Sequence, residues 1–150
     1  MKKQIVGTVL GAVAGYLAMA ISILVTFYVA FLILGMDRLF APGTYDASGI
    51  WIALSFVLGL GGALLGGWVA SSVGGKSSAV HVMAGMVLLF GILSAIDAQS
   101  QDEPRGGARG ADATMTDAMN HARQPTWITL VNPLLGVAGV LIGGRRRLNF

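Results

Sequence analysis

The sequence predicts an all-α polytopic membrane protein: a single domain of four transmembrane helices in a bundle, plus a short amphipathic helix in the second outer loop. Three observations carry that expectation. Of the 150 residues, 55% are hydrophobic and 11% charged, with a mean hydropathy of +0.73, whereas a soluble domain carries about 25% charged residues. The apolar residues gather in four runs, about 5–36, 49–73, 80–96 and 127–144, each near or beyond the roughly 20 residues that cross a hydrocarbon core. Glycine supplies 22 residues and recurs at four-residue spacing inside those runs. In lipid no water competes for the backbone, so helix is enforced, and small residues in a row let a neighbouring helix come close.

Composition also bounds the chemistry. Without cysteine there is no disulfide, thiol reaction or lipid attachment through sulfur. No Asp, Glu, Lys or Arg falls in the middle of any run, so the intramembrane charges that mark proton relays and ion coupling are missing.

Orientation follows from the placement of Lys and Arg. With the N-terminus inside, Lys2, Lys3, Lys76, Arg145, Arg146 and Arg147 all lie on the inner face. The outer loops hold Arg38, Arg105, Arg109 and Arg123 together with all seven acids. Trp51 and Trp127 fall at the outer boundary and Trp68 near the inner one, as interface aromatics do. The expected location is a prokaryotic plasma membrane with both termini cytoplasmic.

The first run opens on Lys2 and Lys3 and passes an Ala18-x-Ala20 pair, but its apolar stretch continues to Leu34. A cleaved signal has an apolar region of only about 7–15 residues, so this run is read as a retained span. Gly7, Gly11 and Gly15 form a small-residue row near its inner end. Its 32 residues would make about 48 Å of helix, longer than a bilayer core even when tilted. A strong tilt, a bend, or a break before Gly35 is therefore expected, or else an apolar protrusion around Phe27, Tyr28, Phe31 and Leu32. The loop that follows has a Pro42-Gly43 turn, a Ser48 placed to cap the next helix, and Phe40, Tyr45 and Trp51 as expected interface anchors.

The second run organises the rest. One row reads Ser55, Gly59, Ala63, Gly67, Ser71 and Gly75, and a second reads Gly62, Gly66, Ala70 and Gly74, with large apolar residues between. These rows are expected to face other helices. Ala70 to Ser77 matches a loose phosphate-binding loop, but such a loop needs a strand before it, and a membrane helix precedes this one. Nucleotide and nucleic-acid binding are not expected. The third run is the shortest and ends at Asp97.

The second outer loop is polar and glycine-rich over 99–110, read as a flexible stretch, with an RGGARG run flanked by acids. Beyond it Met115, Ala118, Met119 and Ala122 recur at helical spacing, and Thr114-x-x-Asp117 resembles a capping box. A short amphipathic helix is expected there, lying on the outer surface and ended by Pro125. The last run carries Asn132-Pro133, where a kink is expected, then Gly136, Gly139, Gly143 and Gly144.

Residues 58–67 (LGLGGALLGG) and 135–144 (LGVAGVLIGG) agree at six of ten positions. The match suggests two helical hairpins related by a pseudo-twofold along the membrane normal, with the glycine faces of the second and fourth helices meeting centrally.

No catalytic set, metal site or cofactor is expected. The two histidines fall on opposite faces, His81 inside and His121 outside, and neither has an evident nucleophile beside it. One constellation remains: Thr26, Ser55, Ser94, Asp97, Thr129 and Asn132 gather, with Ser22, toward the outer half of the spans. They form either an outward-facing polar vestibule for a small ligand, or hydroxyls bonded to their own helices with Asn132 bridging two. The expected function is a non-enzymatic structural, accessory or assembly subunit that packs through its glycine faces. Its partners would be membrane lipids and other subunits or a second copy. The alternative is a small passive channel or transporter using the vestibule.

Overall fold

The structure, a computed structural model, describes residues 2–75, 77–100, 108–110 and 112–148. Lys76 in the turn between the second and third runs, residues 101–107 of the polar loop, and the side chains of Met119, Arg146 and Arg147 lie outside the described residues. The chain is all-helical: α1 (Lys2–Leu34), α2 (Met36–Leu39), α3 (Gly49–Gly74), α4 (Ser77–Ser100), α5 (Met115–His121) and α6 (Thr126–Leu148). Four of these, α1, α3, α4 and α6, are long and apolar enough to cross a membrane. They form a ring in which α3 packs along both α1 and α6, and α4 closes the gap from α6 to α1 while also touching α3. The start of α1, the α3–α4 turn and the end of α6 come together at one end, called here the terminal end. The loops cover the other, the cap end.

Each boundary has a local cause. Gly35 takes φ 72°, a left-handed conformation that costs other residues strain, so α1 stops at Leu34 and the chain restarts as α2. Ser48 accepts a hydrogen bond from the Trp51 N–H at 3.3 Å and caps α3. Gly75, at φ 63°, ends it in the left-handed cap. The third long helix is not the shortest, because α4 has 24 residues against 23 in α6. Hydropathy marks only its apolar stretch, while Ser77, Ser78 and the residues after Ile96 continue the helix in polar sequence.

The terminal half is closed by backbone. A Cβ at Gly11 would lie 2.6 Å from Gly74 Cα, one at Gly15 2.6 Å from the Gly66 carbonyl oxygen, and one at Gly139 2.7 Å from Ala63 Cβ. At Gly67 a Cβ would lie 2.8 Å from the Val140 carbonyl carbon, and at Gly143 2.8 Å from that of Leu64. Real Cβ atoms essentially never come under 3.0 Å, so these helices touch main chain to main chain, or at Gly139 main chain to the Ala63 methyl. Ala63, Ala70 and Ala79 are fully buried, and Met83 threads its flexible side chain through the space they leave. Three glycines depart from the expected packing role, among them Gly75, which meets nothing within 4 Å. Gly59 meets nothing within 4 Å, and Gly7 meets only the Gly74 carbonyl oxygen, at 3.8 Å.

The glycine faces of α3 and α6 do meet, but not through a twofold between hairpins. On α3, Gly62 faces α1 through Ile23, while Gly67 faces α6. On α6 the matching Gly139 and Gly143 face α3, and Gly144 faces α4 through Val80. Each stretch turns its first edge to the preceding helix of the ring and its last glycine to the following one. A hairpin twofold would have sent Gly139 to α4. The repeat is one helix surface used twice in the same rotational sense.

The loops fold together into a cap with its own core of Leu39, Phe40, Tyr45 and Ala118. Phe40 and Tyr45 are 1% and 7% exposed, so they are not interface anchors; the loop aromatics bury against one another instead. Phe31 packs beneath this core, and Trp51 lies between the rings of Phe27 (5.1 Å) and Phe40 (4.9 Å). Short bridges tie the pieces: Phe40 to Ala47, Thr44 to Ala108 and Asp46 to Arg123. Within the stretch expected to be flexible, residues 108–110 are therefore pinned, with the Arg109 N–H bonded to the Gly43 carbonyl at 2.8 Å. Helix α5 lies at the surface of this cap. It docks through Ala118, stacks His121 on Tyr45, and ends at His121, while Pro125 immediately precedes α6.

The capping box at Thr114 is complete: the Asp117 N–H bonds Thr114 Oγ1 at 3.3 Å, and Asp117 Oδ2 accepts from the Thr114 N–H at 2.8 Å and its hydroxyl at 2.7 Å. Those bonds, led by the hydroxyl, hold the Asp117 carboxyl below its ordinary pKa. A lowered carboxylate pKa stabilises the folded state in full above the ordinary range and loses that contribution as pH falls through the lowered value. Amide exchange across 114–121 is therefore expected to quicken, relative to the long helices, as the medium is acidified through that range. Thr114→Val should flatten this dependence, and an unchanged profile in the variant would show that the box does not hold α5.

Candidate functional site

Beyond Gly62 and Gly139 toward the cap, the backbone contacts give way to two adjoining cavities. The first, about 320 Å³, lies among α1, α4 and α6 and is lined by Tyr16, Phe90, Ser94, Thr129, Asn132 and Pro133, among others. The second, about 290 Å³, lies among α1, α3 and α6, with Phe27, Ser55, Leu60, Gln124, Asn132 and Gly136 in its wall. Met19, Val87 and Asn132 line both. Their sizes sit at the lower edge of the roughly 300–1,000 Å³ of ligand pockets.

Of the six polar residues expected to gather, four do so. Ser94, Thr129 and Asn132 meet at the first cavity, and Ser55 joins Asn132 at the second. Thr26 and Asp97 line neither. The hydroxyls divide between the two readings of the sequence. Thr26 donates to the Ser22 carbonyl at 2.7 Å, Ser55 to that of Trp51 at 2.8 Å, and Thr129 to that of Thr126 at 2.6 Å. Such bonds satisfy a hydroxyl donor inside its own helix. Asn132 does not bridge helices: among the described residues its side-chain amide has no hydrogen-bond partner. Nor is it sealed away, since the one sealed and unpartnered side-chain polar atom among the described residues is Trp51 Nε1. The Asn132 amide is therefore unpartnered and accessible, on a residue that lines both cavities.

Local sequence explains the position. Pro133 has no N–H to return to the Thr129 carbonyl, and α6 runs through it with Gly91 of α4 packed against the ring. A Cβ at Gly91 would lie 2.5 Å from Pro133 Cγ. This contact sets the α4–α6 spacing beside the first cavity.

Sequence reasoning did not find Tyr16, Phe90, Gly91 or Gln124. Gly91 alone carried a signal, as an isolated glycine inside an apolar run. Gln124 reaches the second cavity only because Ala47 donates to the Arg123 carbonyl at 2.9 Å and Arg123 to that of Tyr45 at 3.0 Å, a pairing between two loops that no local pattern announces. Every residue lining either cavity is uncharged. Among the described residues no three potential metal ligands come together, and His81 and His121 bond carbonyls of their own helices. No protein-family model, curated protein or solved structure matches the chain.

Proposed function

We propose that this chain is a small non-enzymatic integral membrane protein of a prokaryotic plasma membrane. Its termini are cytoplasmic and its role is that of a structural or assembly subunit. The observation that carries this reading is the sealed terminal half. Along α3 and α6 the cavity linings reach no further than Leu60 and Gly136, and beyond them Gly67 and Gly143 press onto the main chain of Val140 and Leu64. A rigid closed bundle suits a scaffold better than a conduit.

The partner surface is not the glycine rows, most of whose members are used inside the chain. It is the broad side of α1, where only 6% of the apolar window is buried and Ile5, Leu10, Leu17, Leu24 and Leu32 are exposed. Lipid or a neighbouring helix covers such a face. The two cavities favour the second reading, a passive channel or transporter, but among the described residues their linings stop at Leu60 on α3 and Gly136 on α6.

Extraction in mild detergent followed by mass spectrometry tests the proposal. The expected result is a near-stoichiometric protein companion, either another membrane subunit or a second copy. A lone monomer would overturn it.

A further inference from the structure

We propose that the cavity pair is a binding site for an uncharged lipid. The head carries hydroxyl or ester oxygens and reaches the Asn132 amide, while the chains lie along the flank between α1 and α4. The inference depends on the chain being membrane-embedded and not on its having a protein partner.

Three features select this class. The first is the absence of charge from both linings. An ion brought there would lose its hydration with no counter-charge to replace it, a penalty of several kcal/mol even after relaxation. The second is the open hydrogen-bonding capacity. Asn132 offers two donors and one acceptor with no described partner. The Ser94 and Tyr16 hydroxyls, in the same wall, also have none among the described residues. A hydroxyl or ester oxygen is the neutral group that completes such a set, and inside an apolar bundle an unmade bond of this kind is costly.

The third feature is the entrance. Phe90, 43% exposed, and the exposed Ser94 belong both to the first cavity and to the outer side of α4. The Tyr16 and Phe90 rings meet across the α1–α4 seam at 5.5 Å. The cavity therefore opens on the bundle's apolar flank, beside exposed Leu17 and Leu93. A water-soluble solute would approach from the cap end, where Gln124 stands in the wall of the second cavity.

Native mass spectrometry of the purified full-length chain tests the proposal with three probes. Dioleoylglycerol carries the uncharged head and the chains, dioleoylphosphatidylglycerol the same chains on an anionic head, and glycerol the head alone. The expected result is a one-to-one dioleoylglycerol adduct that outlasts detergent removal and falls about tenfold in Asn132→Leu, the effect of one buried hydrogen bond left unmade. Leu134→Ala, on the exposed side of α6, should leave the adduct unchanged. If Asn132→Leu fails to fold, judged by its melting profile, Ser94→Leu at the cavity mouth is read instead and should give the same loss.

Equal retention of the anionic lipid, glycerol binding without dioleoylglycerol binding, an adduct indifferent to both cavity variants, or no adduct at all would each overturn the assignment. A missing adduct alongside a co-purifying protein would leave the subunit reading standing. An adduct on a lone monomer would do the reverse.

Discussion

Gly67→Ala and Gly143→Ala are expected to lower the apparent melting temperature in detergent by roughly 5–10 °C each, while Gly59→Ala, Gly61→Ala and Gly85→Ala leave it unchanged or raise it slightly. A Cβ at either of the first two sites would press on the carbonyl group of Val140 or Leu64. No side chain is available there to rotate aside, so the α3 and α6 axes must separate and every contact along the seam loosens. Overpacking of this kind costs about 1–3 kcal/mol, and at roughly 2–4 °C per kcal/mol for a chain of this length the upper half of that range gives the stated fall. The three control sites meet nothing within 4 Å. There a methyl adds no clash, and the residue change itself favours helix by up to about 1 kcal/mol. Composition, hydropathy and helix propensity treat all five substitutions alike, so a difference between the groups can come only from the packing. Equal melting temperatures across the five would mean that main-chain apposition does not hold the bundle together.

The same five glycines show what was legible in the sequence and what was not. Four-residue spacing of small residues picks out a helix surface, because that spacing puts them on one face. The two rows on α3 are accordingly where its buried residues lie, from Ser55 through Gly62, Ala63, Gly66 and Gly67 to Ser71. Spacing does not tell where along the row two helices part. Gly59 continues the row on paper but stands beside a cavity, because α6 meets α3 closely only from Gly139 onward. Period and composition likewise fixed the four long helices and the capped α5, which are local properties. Long-range pairing carries no local signature, and so the cap was misread. Phe40 and Tyr45 looked like interface anchors because a lone loop has nothing else to offer an aromatic ring. Two loops facing each other across the end of a bundle do. The site was half legible for the same reason: polar residues in an apolar run are conspicuous, whereas Tyr16 and Phe90, which complete the wall, look like any other lipid-facing aromatic.

Arg109→Ala is expected to unfasten the cap without unfolding the bundle. The Arg109 side chain is 10% exposed. One guanidinium nitrogen donates to the Met36 carbonyl at 3.1 Å and the other to the Asp37 carboxylate. Its backbone holds the Gly43 turn, so a residue from the second loop ties down the point where α1 ends and α2 begins. Truncation removes both side-chain bonds and leaves the Met36 carbonyl without that donor. A hydrogen bond involving a charged group contributes about 1.5–3 kcal/mol. Its loss should appear as faster amide exchange across 36–48 and 112–125, with the interiors of α1, α3, α4 and α6 unaffected.

Two further variants separate the sources of that loss. Asp37 is 91% exposed, and an exposed ion pair is worth only about 0–1 kcal/mol, so Asp37→Ala should barely change exchange. Arg109→Lys keeps the charge but gives up the forked geometry that serves both acceptors at once, and should fall between the other two. Because Gln124 stands in both the cap and the second cavity, loosening the cap also opens that cavity toward the loops. If Asp37→Ala matched Arg109→Ala, the bridge would be acting through surface charge alone. If protection fell evenly over the whole chain, cap and bundle would be one cooperative unit, and the cavities between them could not open separately from the fold.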